Sequence, residues 1–499
     1  MTSTRCNFRH SRMLLFLLPL FPILVQAQDR AELVEVACWF QSHDSMPDSQ
    51  CYRMHVPENH ARSNSNMISF PVAVFRSAAK FWKQSPVLHL GGGGPGGPMY
   101  LDEDLSMRYF WEQHDEISTA QRRDLIVIDP RGTGLAEPLL ACHAFLENEA
   151  GRLERNLSMS EEWREIEADY RTCIDDYAAR GVDFSGYNSL SIAQDIEFLR
   201  QAMGVESWNL IGVSYGAVYA QMLAREFPES IDAMILDSAT FPNLKPAQNW
   251  IRNQSAPFDA LLNYCRINDF CDSPPADFES RFWNLYRKLN RDPIVIVQTH
   301  PYENHPIKIV LNGERLLGIL LQGTYNTQIY YDLPAILNEL EKGHSKRLQP
   351  YLEDTLYYVF DHHWGDISAE AHYCFDTRPW VDMEDVESEI AKLPEGWVKS
   401  SLELGLKAEN HCPRMGIESG YTPMAGGVQI DVPTLFLHGK FDSVTFLDDV
   451  VEQRKFFPQS HLIEFDQAHS VLSYEACAEI IAGKFVKNPS RNQSDLDCD

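Results

Sequence analysis

The sequence has few basic residues for its acidic content. It contains 43 Lys and Arg against 71 Asp and Glu, which gives a formal net charge of −28 at pH 7. An acidic surface repels phosphate backbones and anionic lipids, so the composition argues against nucleic acid and anionic membranes as partners. Solubility is the plain explanation of this charge, and steering of a cationic substrate is the alternative.

Motifs for metals and phosphates are missing as well. The sequence has no CxxC or HExxH spacing, so it predicts no metal site. A glycine-rich segment at His89–Gly97 lacks the Lys-Ser/Thr that follows the glycines of a P-loop, which excludes a phosphate-binding loop there. No internal repeat is present, and no cofactor is predicted.

Long apolar runs are rare, and the longest candidate lies at the N-terminus. Met13–Val25 is apolar, follows three arginines and precedes a small residue, Ala27. This layout is typical of a secretory signal peptide, and a run of about 13 residues is short for a bilayer span. We therefore expect a cleaved leader at 1–27, a secreted or periplasmic protein and no membrane integration after cleavage. An uncleaved N-terminal anchor is the alternative.

The cysteine content agrees with export. There are eleven cysteines, and Cys6 falls in the expected leader. An even number remains, which favours disulfides in an oxidising compartment. Free buried thiols are the alternative. The simplest pairing joins sequence neighbours: Cys38–Cys51, Cys142–Cys173, Cys265–Cys271, Cys374–Cys412 and Cys477–Cys498.

Short apolar runs separated by helical patterns predict an α/β fold with a mostly parallel central sheet and helices on both faces. Between two of these runs lies a long aromatic, helix-patterned segment, which we interpret as a mainly helical cap. The expected division is a core in two parts, 28–240 and 426–499, with the cap inserted at 241–425. The expected strands are Pro86–Leu90, Leu125–Ile128, Trp208–Val213, Ala233–Asp237, Pro433–His438 and His461–Phe465.

One of these strands leads into a G-x-S-x-G motif, Gly212–Gly216, which is followed at once by a helical stretch. A serine at a tight strand-to-helix turn exposes its hydroxyl, and flanking glycines let the backbone pass without a Cβ clash. The N-terminus of the next helix favours developing negative charge. We predict that Ser214 is a nucleophile. A glycine-rich turn with an incidental serine is the alternative.

A serine nucleophile needs a base and an orienting carboxylate, and in this fold the chain order is Ser, acid, His. Asp442 and His469 each follow a late strand, so they should reach the same sheet edge as the serine. We predict these two as acid and base. Asp466 and His438 are the rivals, the first on the loop of His469 and the second at a strand end.

An acyl-transfer enzyme also needs N–H donors for the oxyanion. The glycine-rich segment follows an early strand, where backbone amides can approach the substrate oxygen. The predicted donors are the amide of Tyr215 and an amide of Gly93 or Gly94. A plain turn is the alternative.

Taken together, these motifs resemble the prolyl aminopeptidase and tripeptidyl aminopeptidase family of α/β-hydrolases. The Ser-Tyr-Gly elbow and the pair Cys477/Cys498 are similar to its secreted tripeptidyl branch, whereas Gly92 stands where the commoner loop has His. The segments that carry the resemblance are Gly93–Gly97, Asp129–Gly134, Tyr187–Asp195, Gly212–Gly216 and Gly439–Asp442 with His469.

The resemblance implies an α/β-hydrolase fold and cleavage of short peptides at their N-terminal end, often beside proline. It also implies that cap carboxylates hold the free substrate amine. We expect Asp129 and Arg131 to brace their loop, which a bidentate pair would lock, and a direct role in the chemistry is the alternative. The sequence does not choose among the candidate carboxylates, which are Glu279, Glu314, Asp332, Glu339, Glu341, Asp366 and Glu370.

Two further hypotheses stay open. The same triad could serve a secreted carboxylic-ester hydrolase, because the cap chooses the substrate. The chain could also be a binding protein on a hydrolase scaffold, although all three triad residues are present. The expected partner is a short peptide or a small acyl substrate. The substrate-binding residues and the oligomeric state are not predicted.

Overall fold

The structure is a computed structural model that describes residues 31–44, 46–77, 84–244, 246–267, 278–417 and 427–498. The expected leader at 1–27 and the expected pair Cys265–Cys271 lie outside what it describes. No helix among the described residues is both long and apolar enough to cross a bilayer.

Within those residues a central sheet has nine strands in the order β1-β2-β3-β5-β4-β6-β7-β10-β11. The strands from β5 to β11 in this order pair in parallel, and β1, β2 and β3 join by antiparallel pairing. The bounds are β1 Glu32–Val36, β2 Ser49–Pro57, β3 Met67–Phe75, β4 Val87–Leu90, β5 Leu125–Ile128, β6 Trp208–Val213, β7 Ile231–Asp237, β10 Thr434–Gly439 and β11 Ser460–Phe465.

All six strands expected from the sequence are present, which confirms the mostly parallel sheet. The antiparallel strands β1 to β3 were not expected, because no helix separates them and they fall outside an alternating strand–helix pattern. A separate two-stranded hairpin was also missed, consisting of β8 (Ile294–Thr299) and β9 (Pro306–Leu311).

The helices of the described chain complete the core and the cap. Their bounds are α1 Asp104–His114, α2 His143–Leu153, α3 Met159–Ala179, α4 Ser189–Met203, α5 Gly216–Glu226, α6 Pro246–Ile267, α7 Phe278–Arg291, α8 Gly313–Gly323, α9 Gln328–Glu341, α10 Gln349–Val359, α11 Asp366–His372, α12 Met383–Ala391, α13 Trp397–Gly405, α14 Leu447–Gln453 and α15 Ala476–Lys487.

Helices cover both faces of the sheet. Leu210 of β6 packs into one hydrophobic cluster together with residues of α4 and α5. The next residue, Ile211, packs into a second hydrophobic cluster together with residues of α1 and α15. Successive side chains of a strand point to opposite faces, so a strand covered on both sides must be apolar throughout. Burying each such side chain contributes about 1.5–3 kcal/mol. The sheet is therefore a rigid base whose strand ends hold the loops after β4, β6, β10 and β11.

Between β7 and β10 the chain leaves the sheet and forms helices α6 to α13 with the β8–β9 hairpin. This mainly helical insertion has its own apolar cluster, to which α8 and α9 contribute residues one turn apart, such as Leu316 and Leu320 or Leu333 and Leu337. We call it the cap; its expected limits at 241 and 425 stay a prediction.

Helices α2 and α3, which precede the cap in the chain, are joined to it by hydrogen bonds. Arg315 of α8 donates to the carbonyl oxygens of Arg152, Leu153 and Arg155 at 2.8, 3.0 and 2.9 Å. The cap thus extends over helices that precede it in the chain.

Four of the expected disulfides are present. These are Cys38–Cys51, Cys142–Cys173, Cys374–Cys412 and Cys477–Cys498. The first links the chain after β1 to β2, and the last links α15 to the C-terminal segment. The rule of pairing sequence neighbours is confirmed for these eight cysteines.

Candidate active site

The predicted nucleophile stands between β6 and α5 in a strained conformation. Ser214 has φ of 53°, in the left-handed region that non-glycine residues rarely occupy. A Cβ on Gly212 would lie 2.9 Å from the Cα of Ala217, and one on Gly216 would lie 2.1 Å from the carbonyl oxygen of Leu90. Strain of this kind costs about 1–3 kcal/mol and is concentrated at functional sites. The two glycines are therefore what allows the turn that presents this serine.

The predicted acid and base are in direct contact. His469 Nδ1 lies 2.9 Å from Asp442 Oδ2, and both side chains are buried. Asp442 Oδ1 accepts the backbone N–H groups of Val444 and Thr445 at 2.9 Å, and its Oδ2 accepts the Thr445 hydroxyl at 2.7 Å. The carboxylate is thus held from three sides, with its remaining bond directed at the imidazole.

This contact changes the acidity of both groups. Burial disfavours the imidazolium, but the charge of Asp442 and the hydrogen bond to it outweigh burial and raise the pKa of His469 above its ordinary value. Burial likewise disfavours the carboxylate, yet the charge and hydrogen bond of His469 hold the pKa of Asp442 below its usual range. An ion pair that is stabilised in this way suits a base that must carry a proton during a reaction.

The end of β7 joins the serine turn to the histidine loop. The Asp237 carbonyl oxygen accepts the N–H of Ser214 at 2.9 Å, and its carboxylate accepts the N–H groups of Val471 and Leu472 at 3.0 and 2.9 Å. The hydroxyl of Ser238 accepts the N–H of Ser470 at 2.8 Å. A single strand end therefore sets the position of the serine relative to the histidine.

Among the described residues Ser214 Oγ makes no hydrogen bond to His469. Of the two hydrogen bonds of the triad, only the one between His469 and Asp442 is therefore formed. Catalytic hydrogen bonds of free enzymes are often long and tighten when substrate binds. The sequence did not reveal Asp237 or Thr445, the two residues that orient this pair. The signal for Thr445 was available, because Asp442 and Thr445 have the i, i+3 spacing of a side chain that accepts local backbone N–H groups.

The two rival residues have other environments. Asp466 is exposed and forms an ion pair with Lys440 at 2.8 Å. His438 is fully buried on β10, with Nε2 3.9 Å from Asp442 Oδ2, and burial lowers its pKa. Neither has the geometry of the pair formed by Asp442 and His469.

The glycine-rich loop after β4 passes beside the serine. A Cβ on Gly92 would lie 3.1 Å from Ser214 Cβ and 3.8 Å from its Oγ. The next residue, Gly93, has φ of 92°, whereas a Cβ on Gly94 would meet nothing within 4 Å. The loop that contains Gly93 and Gly94, the two predicted oxyanion donors, therefore lies beside the nucleophile.

Asp129 and Arg131 both brace loops, through different partners. Arg131 is fully buried and makes a bidentate pair with Asp195 of α4. Asp129 accepts the N–H of Met99, just beyond the glycine-rich loop, at 2.6 Å and that of Leu135 at 2.9 Å. Asp129 thus joins the two glycine-containing loops to each other.

A short cap segment crosses these two loops, and we call residues 361–365 the strap. The carbonyl oxygen of His363 accepts the N–H of Gly134 at 2.8 Å, and the N–H of Gly365 donates to the carbonyl oxygen of Gly96 at 2.9 Å. Between them, Trp364 covers Gly93, where a Cβ would meet the indole at 3.1 Å. The strap therefore packs against the glycine-rich loop and is hydrogen-bonded to it.

A large cavity of about 1530 Å³ lies between the core and the cap, beside Tyr215 and Thr240. Two of the seven candidate cap carboxylates line it, Glu314 and Glu370. Glu314 accepts hydrogen bonds from the hydroxyl of Tyr286 and from Nε1 of Trp397. Glu370 accepts none from any described residue, and burial, followed by the charge of Asp366, raises its pKa to about 7.

The other five candidates lie away from the cavity lining. Four of them pair elsewhere: Asp332 with Tyr351, Glu339 with Arg347, Glu341 with Arg281, and Asp366 with Tyr170 and the N–H of Cys142. Glu279 lies on α7 near Asp259. In the described part of the chain, no group of three or more His, Cys, Asp or Glu side chains is arranged to hold a metal ion.

Comparison with known proteins agrees with this architecture. The profile of the alpha/beta hydrolase fold matches residues 87–278. Serine protease Hip1 of Mycobacterium tuberculosis is 28% identical over 319 residues, which are 60% of this chain and 59% of Hip1. Carboxylesterase B of the same species is 26% identical over 366 residues, covering 70% of this chain and 64% of that protein.

Tripeptidyl aminopeptidase of Streptomyces coelicolor is 25% identical over 201 residues, which are 39% of this chain and 36% of that enzyme. The match to Hip1 spans about three fifths of the length of that relative. The chain thus has the α/β-hydrolase fold, and it resembles, as its motifs predicted, a group of α/β-hydrolases that includes a serine protease and a tripeptidyl aminopeptidase.

Proposed function

We propose that this protein is an exported serine hydrolase that cleaves short peptides from their N-terminal end, with Ser214, His469 and Asp442 as its triad. The observation that carries the proposal is the buried contact between His469 and Asp442 on loops joined to the serine turn through Asp237. The relatives named as a serine protease and a tripeptidyl aminopeptidase support a peptide substrate.

The reaction begins when Ser214 Oγ attacks the scissile carbonyl carbon and its proton passes to His469 Nε2. The electron pair of the carbonyl bond moves to the oxygen, which the amide of Tyr215 and an amide of Gly93 or Gly94 stabilise. When the tetrahedral intermediate collapses, the C–N bond breaks and the leaving amine takes the proton from His469. Water then repeats the sequence on the acyl-enzyme and releases the acid and free serine.

Asp442 stays ionised throughout and stabilises the imidazolium that forms on His469. The Thr445 hydroxyl and two backbone N–H groups already fix its carboxylate, so little reorganisation accompanies the proton transfer. No step of this mechanism calls on a group from outside the chain other than substrate and water.

Glu370 is the cap carboxylate that we assign to the substrate amine. It lines the cavity next to Tyr215, and no described residue donates a hydrogen bond to its carboxylate. Burial raises its pKa to about 7, so a bound ammonium group would supply the missing counter-charge and favour its ionised form. Glu314 lines the same cavity, but its carboxylate already accepts hydrogen bonds from Tyr286 and Trp397.

Export is the second part of the proposal. The four disulfides support an oxidising compartment, the periplasm or the medium. The sequence at 1–27 has the layout of a leader for that route.

A carboxylic-ester hydrolase is the alternative, favoured by the relative named Carboxylesterase B. A panel of prolyl-, alanyl-, dipeptidyl- and tripeptidyl-naphthylamides, assayed beside p-nitrophenyl esters on the mature protein and on Ser214→Ala, separates the two. Naphthylamide turnover that is lost in Ser214→Ala supports the peptidase. Ester turnover without any naphthylamide turnover contradicts it.

A further inference from the structure

Three exposed tyrosines from different parts of the chain lie close to one another, and one of them contacts His469. Tyr325 comes from the turn between α8 and α9, Tyr358 from α10, and Tyr474 from the segment after His469. Their exposed fractions are 41%, 49% and 53%. Exposed large side chains that gather at one place, rather than scatter singly, usually mark a binding surface.

Tyr325 is in contact with the base itself. Its ring lies edge-on to His469, with centroids 5.2 Å apart and planes at 82°. Tyr358 lies close to both Tyr325 and Tyr474. Burial, the charge of Asp354 and the hydroxyls of these two tyrosines raise the pKa of Tyr358 to about 12. The three tyrosines therefore form one group that reaches His469 through Tyr325.

The group continues outward onto α1. Tyr109 is 60% exposed and lies close enough to Tyr474 to contribute, after burial and Asp354, to its raised pKa. Leu105, one helical turn earlier, is 80% exposed. Gln113 Nε2 of α1 donates to the carbonyl oxygen of Ser473 at 3.0 Å, which holds the helix beside the segment after His469. We call these five side chains the apolar track: Tyr325, Tyr358, Tyr474, Tyr109 and Leu105.

The track is a different surface from the cavity beside Tyr215. None of its five residues lines that cavity, which includes Tyr215, the residue after the nucleophile, whereas the track begins with Tyr325 at His469. In the proposed reaction His469 returns its proton to the leaving amine, so the leaving part of the substrate must lie against His469. The part that stays on the serine as the acyl group is then left for the cavity that Tyr215 and Glu370 line.

We propose that the apolar track binds the leaving segment of the substrate, the residues after the scissile bond, and that it selects aromatic or long aliphatic side chains there. This inference rests on the proposed peptidase function and names its leaving-group subsite. Tyrosine rings bind apolar side chains over a large area with little loss of conformational freedom. Asp354 and Asp361 lie near Tyr358, so acidic side chains are disfavoured.

The test compares two substrates that share the best acyl part from the naphthylamide panel and end in Phe-amide or Gly-amide. We expect the wild-type kcat/KM to be at least about tenfold higher for the Phe-amide, because apolar contacts commonly discriminate by about that factor between side chains of different size. In Tyr358→Ala/Tyr474→Ala the ratio should fall to about threefold or less. The matched control is Tyr331→Ala, which removes a tyrosine of α9 that is 46% exposed and should leave the ratio unchanged.

A second variant guards against misfolding of the double variant. Leu105→Ser/Tyr109→Ser alters strongly exposed positions of α1 and should lower the ratio by about two- to fivefold. Equal rates for both substrates in the wild type, or an undiminished ratio in both variants, would overturn the subsite. Loss of the proposed function has another signature, namely no amide hydrolysis that depends on Ser214.

Discussion

The sheet edge and the cap contribute to the site in different ways. At the sheet edge, Ser214, Asp442 and His469 are positioned by backbone turns and by bonds to other core residues such as Thr445 and Asp237. In the cap, long-range packing positions the side chains near the site, such as Glu370, which lines the cavity, and Trp364, which covers Gly93. The comparison teaches that the chemistry is local to short motifs, whereas the choice of substrate depends on how distant segments pack.

The largest expected effect tests the sheet edge. Asp442→Asn should lower kcat by about 10⁴-fold, because the amide stabilises the wrong imidazole tautomer and cannot stabilise the imidazolium. Asp442 raises the pKa of His469, and the base must be neutral to act, so wild-type activity should rise with pH through that raised pKa. In the variant the acidic limb of the kcat/KM profile should move to lower pH.

Asp466→Asn is the matched control for this prediction, since Asp466 is exposed and paired with Lys440. It should leave both the rate and the acidic limb as in the wild type. A pH profile of Asp442→Asn with an unmoved limb would mean that another group sets the pKa of the base.

A smaller effect tests the place where the cap touches the core. Trp364→Leu should lower kcat by about 10²-fold and change KM by less than about threefold, because the strap positions the glycine-rich loop that binds the oxyanion. Trp39→Leu is the control, because Trp39 lies beside Arg53 of β2 and does not line the cavity. A change in KM alone would show that Trp364 contacts substrate and does not position the loop.

The smallest effect tests the cap carboxylate. Glu370→Gln should lower kcat/KM by about tenfold for peptides with a free amine, through loss of one charge-assisted bond. The same variant should turn over p-nitrophenyl esters at the wild-type rate. Glu314→Gln, on the same cavity but already paired with Tyr286 and Trp397, is the matched control. An equal loss on both substrate classes would assign Glu370 a structural role.

Much of the core could be predicted because its signals are short. The G-x-S-x-G turn requires Gly212 and Gly216 for local steric reasons, and the apolar runs of β5 and β6 predict buried strands with the observed bounds. The resemblance to peptidase-like α/β-hydrolases also rested on such segments. The pairing of Asp442 with His469 followed from the rule that parallel strand ends share one edge.

The cap could not be predicted in the same way. Choosing Glu370 among seven carboxylates depends on partners that are distant in the sequence, such as Trp397 for Glu314, 83 residues away. The pairing of Arg131 with Asp195 spans 64 residues, and no periodicity encodes it. The apolar track brings together Tyr325, Tyr358 and Tyr474. They are neighbours only because the turn between α8 and α9, helix α10 and the segment after His469 lie side by side.

The most direct test of the account is active-site labelling of the mature protein with a fluorophosphonate, followed by peptide mass spectrometry. We predict one covalent adduct, on Ser214, which forms in the wild type, is greatly slowed in Asp442→Asn and is absent in Ser214→Ala. An adduct on another residue, or hydrolysis that persists in Ser214→Ala at the wild-type rate, would contradict the central claim that this strained serine at the end of β6 is the nucleophile.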